Sequence, residues 1–306
     1  MTTTVTLSPC LDKTVSCERF DIDSLNRVEL LSLDIGGKGI NVSRALKRLG
    51  LKTWALGFNF SGGEMIEKTL ERENIPFDFI KFEGDLRINL KVFDKSRRNT
   101  IEINEKSAFV GEDHLHEFMS SFIRAARKSD NLVLTGSLPQ GIPSDIYKTL
   151  GELAKEQNPD IKLILDAQGE VLLKGLEARP FMIKPNLYEL EATFGVKLDS
   201  TEAVIALCQK IIDDYGVSVV LASMSAKGAV IVSKNEAVFR KAVKVDVKST
   251  QGAGDSMVAG VCLAMSKGLT LSETLDYAVC CAGGAISGVG TSFCSLERLN
   301  ELLSGC

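Results

Sequence analysis

The fold and chemistry of this chain are decided by residues 249–260, Ser249-Thr250-Gln251-Gly252-Ala253-Gly254-Asp255-Ser256-Met257-Val258-Ala259-Gly260. Three small residues, Gly252 to Gly254, precede an aspartate at the start of an apolar helix. Small residues let backbone N–H groups approach an anion closely, and a helix N-terminus adds a favourable field. The segment therefore predicts an anion hole at the head of a helix.

Asp255 has two interpretations. An isolated aspartate at a helix start is most often an N-terminal cap. Beside three consecutive small residues, the same carboxylate could instead accept a proton from a hydroxyl group that attacks a phosphorus atom held in the hole. The combination favours the catalytic interpretation.

A second glycine segment joins a strand to a helix at residues 34–42, Asp34-Ile35-Gly36-Gly37-Lys38-Gly39-Ile40-Asn41-Val42. It is not a P-loop, because Gly39 stands where that motif needs Ser or Thr. It also lacks the G-x-G-x-x-G spacing of a dinucleotide fingerprint, which argues against a nucleotide-cofactor dehydrogenase. Taken alone, it is an ordinary glycine turn with one lysine.

Composition excludes several classes of protein. The 306 residues contain 36 Lys and Arg against 40 Asp and Glu, so neither a nucleic-acid surface nor a polybasic membrane patch is expected. The two histidines, His114 and His116, lie in a polar stretch at a helix start, which favours a carboxylate or a lysine as any general base. The eight cysteines form no C-x-x-C pair, and residues 1–7 have no leader pattern. We expect a soluble cytoplasmic protein with free thiols.

Hydrophobic patterning predicts an α/β fold. Before about residue 112, period-two alternation typical of strands with one buried face occurs at 5–7, 14–20, 28–35, 87–93 and 100–103. Later, helical segments near 112–128, 143–157, 186–194 and 200–215 alternate with short apolar runs, and a strand pair at 229–233 and 237–240 precedes helices near 254–267 and 271–288. This alternation predicts right-handed βαβ units around a mostly parallel sheet. We expect one domain over residues 1–306, with a small antiparallel lid from about 13–20, 28–35 and 86–104.

The two glycine segments together resemble the two signatures of the ribokinase/pfkB family of carbohydrate kinases, in the same order and with a similar separation. Further stretches, at residues 6–12, 87–89, 136–139 and 184–191, are similar to the branch that phosphorylates fructose 1-phosphate or tagatose 6-phosphate. The resemblance covers the whole chain. It implies a ribokinase-like three-layer α/β/α sandwich with a mostly parallel central sheet and a small β-sheet lid.

The resemblance also implies roles for individual residues. Asp255 would be the catalytic base, and Gly252, Ala253 and Gly254 would stabilise charge on the transferred phosphoryl group. The residues that would bind the sugar phosphate are Asp12, Gly37, Lys38, Asn41, Arg87, Asn89 and Ser137, with Arg87 on the existing phosphate. The residues that would bind ATP are Lys184, Asn186, Ser223, Ser225, Gly228, Thr250 and Gly283. Glu189 would hold Mg²⁺ through water.

Alternatives accompany several of these roles. Asn89 has a competing interpretation as a polar side chain on the surface of a strand, and Ser225 stands where the family usually has glycine. The expected reaction is ATP-dependent conversion of fructose 1-phosphate to fructose 1,6-bisphosphate, with tagatose 6-phosphate or fructose 6-phosphate as alternative substrates. An alternative of another class is a non-catalytic sugar-phosphate sensor. The lid strands suggest a homodimer in which two lids cover each other.

Overall fold

The computed structural model describes residues 1–305, which form two sheets. The main sheet has nine strands in the order β13-β12-β11-β10-β9-β8-β1-β4-β5. Its strands are β1 (Thr2–Thr6), β4 (Thr53–Ser61), β5 (Phe77–Asp85), β8 (Asn131–Thr135), β9 (Lys162–Asp166), β10 (Met182–Ile183), β11 (Val219–Ser223), β12 (Ala229–Ser233) and β13 (Ala237–Arg240). The pairs β11–β12 and β12–β13 are antiparallel and the other pairs are parallel.

Ten helices cover the main sheet in the described part of the chain. They are α1 (Lys38–Arg48), α2 (Glu64–Arg72), α3 (Glu112–Ala126), α4 (Ile146–Gln157), α5 (Gly169–Leu176), α6 (Leu187–Phe194), α7 (Thr201–Tyr215), α8 (Ala253–Ser266), α9 (Leu271–Ile286) and α10 (Leu296–Leu303). The sequence predicts six of them, α3, α4 and α6 to α9, close to these bounds, and the amphipathic face of α1 as well.

Two hydrophobic cores lie on opposite faces of the main sheet. In β9, Leu163 and Leu165 pack into one core and Ile164 into the other. Because successive side chains of a strand point to opposite faces, this alternation shows that helices cover both sides. Helices α1, α8, α9 and α10 contribute to the core that contains Ile164, and α2 to α7 contribute to the other. The predicted three-layer α/β/α sandwich is confirmed.

Strand β1 corrects one expectation. Its pattern predicts a strand with one buried face, whereas every residue of Thr2–Thr6 is buried and β1 pairs on both sides, with β4 and β8. Two hydroxyl groups in the middle of this threonine-rich strand have buried partners: Thr3 bonds Ser129 at 2.6 Å and Thr4 bonds Ser43 at 2.8 Å. The buried hydroxyl group of Thr6 has no partner among residues 1–305. Satisfied hydroxyls remove most of the penalty for burying polar groups, so a strand that reads as amphipathic lies in the centre of the sheet.

The lid is a separate sheet of four strands in the order β3-β2-β6-β7. These strands are β2 (Cys10–Cys17), β3 (Glu29–Gly36), β6 (Ile88–Asp94) and β7 (Asn99–Asn104). The expectation of an antiparallel lid is wrong in one respect, because β2 and β6 pair in parallel. A parallel pair needs a long crossover. Between β2 and β6 the chain forms β3 of the lid and then β4 and β5 of the main sheet.

No helix among residues 1–305 has the length and apolar composition needed to span a membrane.

Candidate active site

A cavity of about 760 Å³ separates the lid from the carboxyl ends of the main-sheet strands. Ligands of open α/β sheets bind at this end of the strands. The predicted sugar-binding residues all line the cavity, together with Glu189: Asp12, Gly37, Lys38, Asn41, Arg87, Asn89 and Ser137. The structure therefore brings together residues that are spread over most of the chain.

The turn before α1 supplies two of these side chains. Gly37 is the N-cap residue of α1 and has a φ of 121°, a conformation that favours glycine. A Cβ atom at Gly37 would lie 2.7 Å from the Cγ2 atom of Thr6 on β1. This close approach of the turn to the central strand places Lys38 and Asn41, in the first turn of α1, at the cavity wall.

The second glycine turn begins α8. Gly252 takes a left-handed conformation with a φ of 74°, and the helix starts at Ala253. Asp255 lies in the first turn but makes no capping hydrogen bond, so the capping interpretation is wrong. One of its carboxylate oxygens instead accepts a hydrogen bond of 2.9 Å from the Nδ2 atom of Asn41. The two glycine segments thus meet at the Asn41–Asp255 pair.

Burial sets the protonation of Asp255, which is only 6% exposed. Burial raises the pKa of its carboxyl group to about 6, although Lys38, the hydrogen bond from Asn41 and Lys184 act to lower it. A carboxylate with this pKa is ionised at neutral pH and is a better proton acceptor than an ordinary aspartate. Perturbed groups of this kind cluster at functional sites.

A buried carboxylate that the sequence analysis does not predict joins the two sides of the site. Asp166 ends β9 and lies 3.3 Å from the Nζ atom of Lys38 and 3.4 Å from that of Lys184. Its second oxygen also accepts a hydrogen bond of 3.2 Å from the hydroxyl group of Thr135, which ends β8. Lys184 in turn faces Gly254, with its Nζ atom 3.3 Å from the position of a Cβ atom there. Asp166 therefore holds two ammonium groups, and that of Lys184 lies beside the glycine turn of α8.

The positive charge of Lys38 is balanced by carboxylates around it. Burial acts to lower the pKa of its ammonium group, but the carboxylates of Asp166, Glu189 and Asp255 raise it above its ordinary value. Lys38 therefore stays protonated over the physiological pH range, and it remains a cation close to Asp255. The signal that could have identified Asp166 in the sequence is its position directly after the apolar run 163–165 of a buried strand.

On the lid side of the cavity, three side chains are linked by hydrogen bonds. Asp12 on β2 lies opposite Asn89 on β6, and the Nδ2 atom of Asn89 donates to Asp12 at 2.9 Å. The Oδ1 atom of Asn89 accepts from the Nη1 atom of Arg87 at 2.8 Å. Arg87 also donates to the backbone oxygen of Ser8 at 3.2 Å, while its buried Nε atom has no partner in the described chain. Asn89 therefore links a carboxylate to a guanidinium group and is not a free surface side chain.

The predicted nucleotide-binding residues form a second group. Asn186 and Glu189 make a reciprocal capping box at the start of α6, with two bonds of 2.8 Å. The backbone of Asn186 also forms an isolated parallel β-bridge with Ser223 at the end of β11. Ser225 has a φ of 51° in the 3-10 turn Ser225–Lys227, so a serine here adopts the left-handed conformation that glycine favours. Gly228 closes this turn by donating to the backbone oxygen of Ser225 at 3.1 Å.

Two predicted nucleotide-binding residues stand apart from this group. Thr250 is exposed in the turn before α8. Gly283 is buried in α9, where a Cβ atom would lie 3.1 Å from the Cβ atom of Val243. Val243 lines a second cavity of about 440 Å³ beside α9. Within residues 1–305, neither Thr250 nor Gly283 has a hydrogen bond or an ion pair to the other predicted residues.

Family membership follows from comparison with known proteins. The model for the pfkB family carbohydrate kinases matches residues 5–298. The chain belongs to this family. A 1-phosphofructokinase from Bacillus subtilis is 37% identical over 292 residues, which are 95% of this chain and 92% of that protein. A D-tagatose-1-phosphate kinase from Bacillus licheniformis is 34% identical over 302 residues, 98% of this chain and 97% of that protein.

Solved structures of family members have the same architecture. A crystal structure of phosphofructokinase-2 from Escherichia coli in complex with potassium superposes with a TM-score of 0.90 at 27% identity. The match covers 99% of this chain and 98% of that one. As a sugar-phosphate kinase of the pfkB family, the chain needs a proton acceptor, a phosphoryl site and a sugar site. The cavity wall carries polar side chains suited to a sugar phosphate, and one of them, Asn41, is hydrogen-bonded to the buried carboxylate of Asp255.

Neither histidine and only one cysteine lies at the cavity wall in the described part of the chain. The ring of His114 stacks on Phe82 with ring centroids 4.3 Å apart, and neither histidine lines the cavity. The one cysteine at the cavity wall is Cys10, and burial, helped by Asp12, raises the pKa of its thiol to about 12. A thiol that stays protonated is a poor nucleophile, so Cys10 is not a candidate nucleophile.

Proposed function

We propose that this pfkB family kinase transfers the γ-phosphoryl group of ATP to the free primary hydroxyl group of fructose 1-phosphate, giving fructose 1,6-bisphosphate and ADP. The observation that carries the proposal is the pairing of Asp255 with Asn41. It places a buried carboxylate with a raised pKa between the sugar cavity and the glycine turn of α8.

Asp255 is the proposed base. Its carboxylate accepts the proton of the attacking hydroxyl group while the hydroxyl oxygen bonds to the γ-phosphorus and the bond from that phosphorus to the ADP oxygen breaks. The backbone N–H groups of Gly252, Ala253 and Gly254 would then stabilise the charge on the transferred group. Donors aimed at developing charge typically contribute about 3–4 kcal/mol each to such a step. The ammonium groups of Lys38 and Lys184 would add to this field.

The sugar phosphate is oriented from the lid. Arg87 is the proposed anchor for the phosphate group already on the sugar, since its guanidinium group lines the cavity and keeps an unpaired Nε–H. A planar guanidinium group suits a phosphate dianion through two parallel hydrogen bonds. Asp12 and Asn41 would accept and donate hydrogen bonds to the hydroxyl groups of the ring, with Ser137 bordering the same space.

Magnesium is the proposed metal. Among residues 1–305 no three His, Cys, Asp or Glu side chains converge on one point, which fits an ion that takes most of its ligands from phosphates and water. Glu189 is the proposed residue that holds the ion through water, since it lies at the cavity wall; one of its oxygens caps α6 and the other lies 3.9 Å from Lys38. Bound Mg²⁺ would neutralise part of the charge on the ATP phosphates.

We also propose a homodimer formed through the lid and a cytoplasmic location. The outer lid surface exposes Leu30, Leu31 and Leu33 on β3, an apolar strip that a second lid would cover. The cytoplasm supplies ATP and sugar phosphates, the substrates of the proposed reaction.

A substrate panel tests the function. Purified protein, ATP and Mg²⁺ are incubated separately with fructose 1-phosphate, tagatose 1-phosphate, tagatose 6-phosphate and fructose 6-phosphate, and ADP release is measured. We expect the highest kcat/KM for fructose 1-phosphate. Tagatose 1-phosphate, its C4 epimer, is included because a kinase for it is among the relatives of this chain. A higher kcat/KM for another sugar phosphate would show that fructose 1-phosphate is not the preferred substrate. Tight binding of a sugar phosphate without any turnover would favour a non-catalytic sensor.

Replacing Arg87 with glutamine is expected to raise the KM for the sugar phosphate by roughly ten- to a hundredfold with a smaller change in kcat, because a charged phosphate contact is lost in both the ground and transition states. Steady-state kinetics measure both constants. Arg97→Gln is the matched control, since Arg97 pairs with Asp94 and Asp21 on the lid and does not line the cavity. An unchanged KM in Arg87→Gln would show that the phosphate binds elsewhere.

A further inference from the structure

The glycine turn of the anion hole rests on the chain segment before α10. A Cβ atom at Gly252 would lie 2.9 Å from the backbone oxygen of Ser292 and 3.2 Å from a ring carbon of Phe293. Beside it, the Thr291 hydroxyl group donates to the side-chain oxygen of Gln251 at 3.1 Å. Gly252, which has a left-handed conformation, therefore lies next to the buried ring of Phe293.

The Phe293 ring also lies against a cation. The guanidinium carbon of Arg44 lies 5.1 Å from the centre of the ring, within the range of a cation–π contact. Glu73 fixes that guanidinium group through bonds of 2.7 Å to Nη2 and 3.0 Å to Nε. The Arg44 and Glu73 side chains are only 13% and 19% exposed, so this pair is well shielded from solvent. Such a bidentate pair gives the guanidinium plane a fixed orientation.

Helix α1 connects this stack to the base. Asn41 and Arg44 are three residues apart on α1 and therefore lie on neighbouring parts of one helix surface. Asn41 donates to Asp255, and Arg44 stacks on the ring that contacts Gly252. One helix thus holds the proton acceptor with one residue and supports the anion hole with another.

We infer that Arg44 and Phe293 are positioning residues that fix the anion hole of α8 in line with Asp255. The inference rests on the proposed function. Neither residue lines the sugar cavity, so their role is confined to the geometry of the phosphoryl site. Loosening the stack lets the N–H groups of the turn move relative to Asp255. Misplacement of this kind lowers turnover without weakening sugar binding.

The test compares Phe293→Leu with the double variant Arg44→Met/Glu73→Gln. The double variant removes the cation without leaving the Glu73 carboxylate buried and unpaired. We expect kcat to fall roughly ten- to a hundredfold in both, while the KM for the best sugar phosphate stays within about twofold. The affinity for ADP with aluminium fluoride and sugar phosphate, which imitates the transferred group, should fall more than the affinity for ADP alone. Lys162→Met is the control, because Lys162 makes a similar contact over Phe181, at 4.9 Å, away from the cavity.

The readouts separate a positioning role from a structural one. A variant that is merely destabilised loses thermal stability and active fraction but keeps the ratio of the two affinities. If both variants fold and keep the wild-type kcat and affinity ratio, the positioning role is wrong and the proposed function stands. If the wild-type protein phosphorylates no sugar phosphate, the proposed function fails, and binding of ADP with aluminium fluoride still reports on the anion hole.

Discussion

Replacing Asp255 with asparagine is expected to lower kcat by about 10²–10⁴-fold, the usual contribution of general base catalysis. The KM values for ATP and the sugar phosphate should change little, because the carboxamide keeps the size of the side chain and an oxygen that can accept the hydrogen bond from Asn41. Steady-state kinetics on the purified variant measure both effects. The pH profile of the wild-type kcat/KM should fall on the acid side with an apparent pKa near 6, the value that burial gives Asp255.

The same variant is expected to be more stable than the wild type at neutral pH. Burial raises the pKa of Asp255 from 3.8 to about 6, so ionised Asp255 destabilises the folded state. A shift of about two pKa units corresponds to about 3 kcal/mol as an upper value. The penalty is absent below pH 3.8, grows as the pH rises toward 6, and is constant above that. Thermal unfolding should therefore show a higher Tm for Asp255→Asn at pH 7.5 and a smaller difference at pH 5.

Asp246→Asn is the control for both measurements, since Asp246 is exposed in the segment before the glycine turn. It should leave kcat and Tm unchanged. Wild-type turnover in Asp255→Asn would remove Asp255 from the mechanism. A Tm that falls at neutral pH would show instead that its charge is stabilised by Lys38 more than burial penalises it.

Replacing Asp166 with asparagine is expected to have the largest effect on stability. Lys184 is 5% exposed at its side chain, and both it and Lys38 lose their shared carboxylate. Breaking a buried ion pair by removing one partner costs about 3–5 kcal/mol, because an uncompensated charge stays buried. Urea unfolding measures this loss, and kcat should fall as well, since the two ammonium groups lose their fixed positions beside the anion hole.

The pH dependence of this effect has a defined sign. Burial acts to raise the pKa of Asp166, but Lys184 and Lys38 outweigh it and hold the pKa below its ordinary value. The stabilisation is therefore present above the pKa of an unfolded aspartate and is lost only as the pH falls through the lower folded-state value. The difference between wild type and Asp166→Asn should therefore be constant above about pH 7, where Asp255 is ionised as well.

A double-mutant cycle completes this test. Adding Lys38→Met to Asp166→Asn removes one of the unpaired cations, so the double variant should lose less stability than the sum of the two single variants. Additive losses would show that Lys38 and Asp166 do not interact. The exposed pair Lys210 and Asp214, whose atoms lie 2.8 Å apart on α7, is the matched control and should show little coupling.

Local sequence patterns predict the parts of this protein that local interactions determine. The helices of the second half and both glycine turns follow from periodicity and from residue types that few other conformations accept. Local pattern also predicts the strand pair at 229–233 and 237–240, which the structure shows to be antiparallel. The buried position of β1 is not predicted, because it depends on hydroxyl partners, Ser129 and Ser43, that are distant in sequence. The parallel pairing of β2 with β6 likewise depends on distant residues, because β4 and β5 of the main sheet separate these two strands in the chain.

The candidate site also contains features that the sequence predicts and features that only the folded chain shows. The resemblance to the family predicts the side chains at the cavity wall, but it does not predict what those side chains do to one another. Asn41 and Asp255 are 214 residues apart, and their hydrogen bond appears only in the folded chain. Asp166 carries no motif and acquires its importance from two lysines that belong to separate elements. Sequence therefore predicts the residues of the site better than its electrostatics.

The central claim is that this chain phosphorylates the free primary hydroxyl group of fructose 1-phosphate with Asp255 as the base. The most direct measurement is ³¹P NMR of the product formed from fructose 1-phosphate, ATP and Mg²⁺ by the wild type and by Asp255→Asn. For the wild type, the account predicts a new monoester at C6, equimolar with ADP, beside the C1 monoester that the substrate already carries. For the variant it predicts almost none of the C6 ester. A product phosphorylated at another position, or equal product from both proteins, would contradict it.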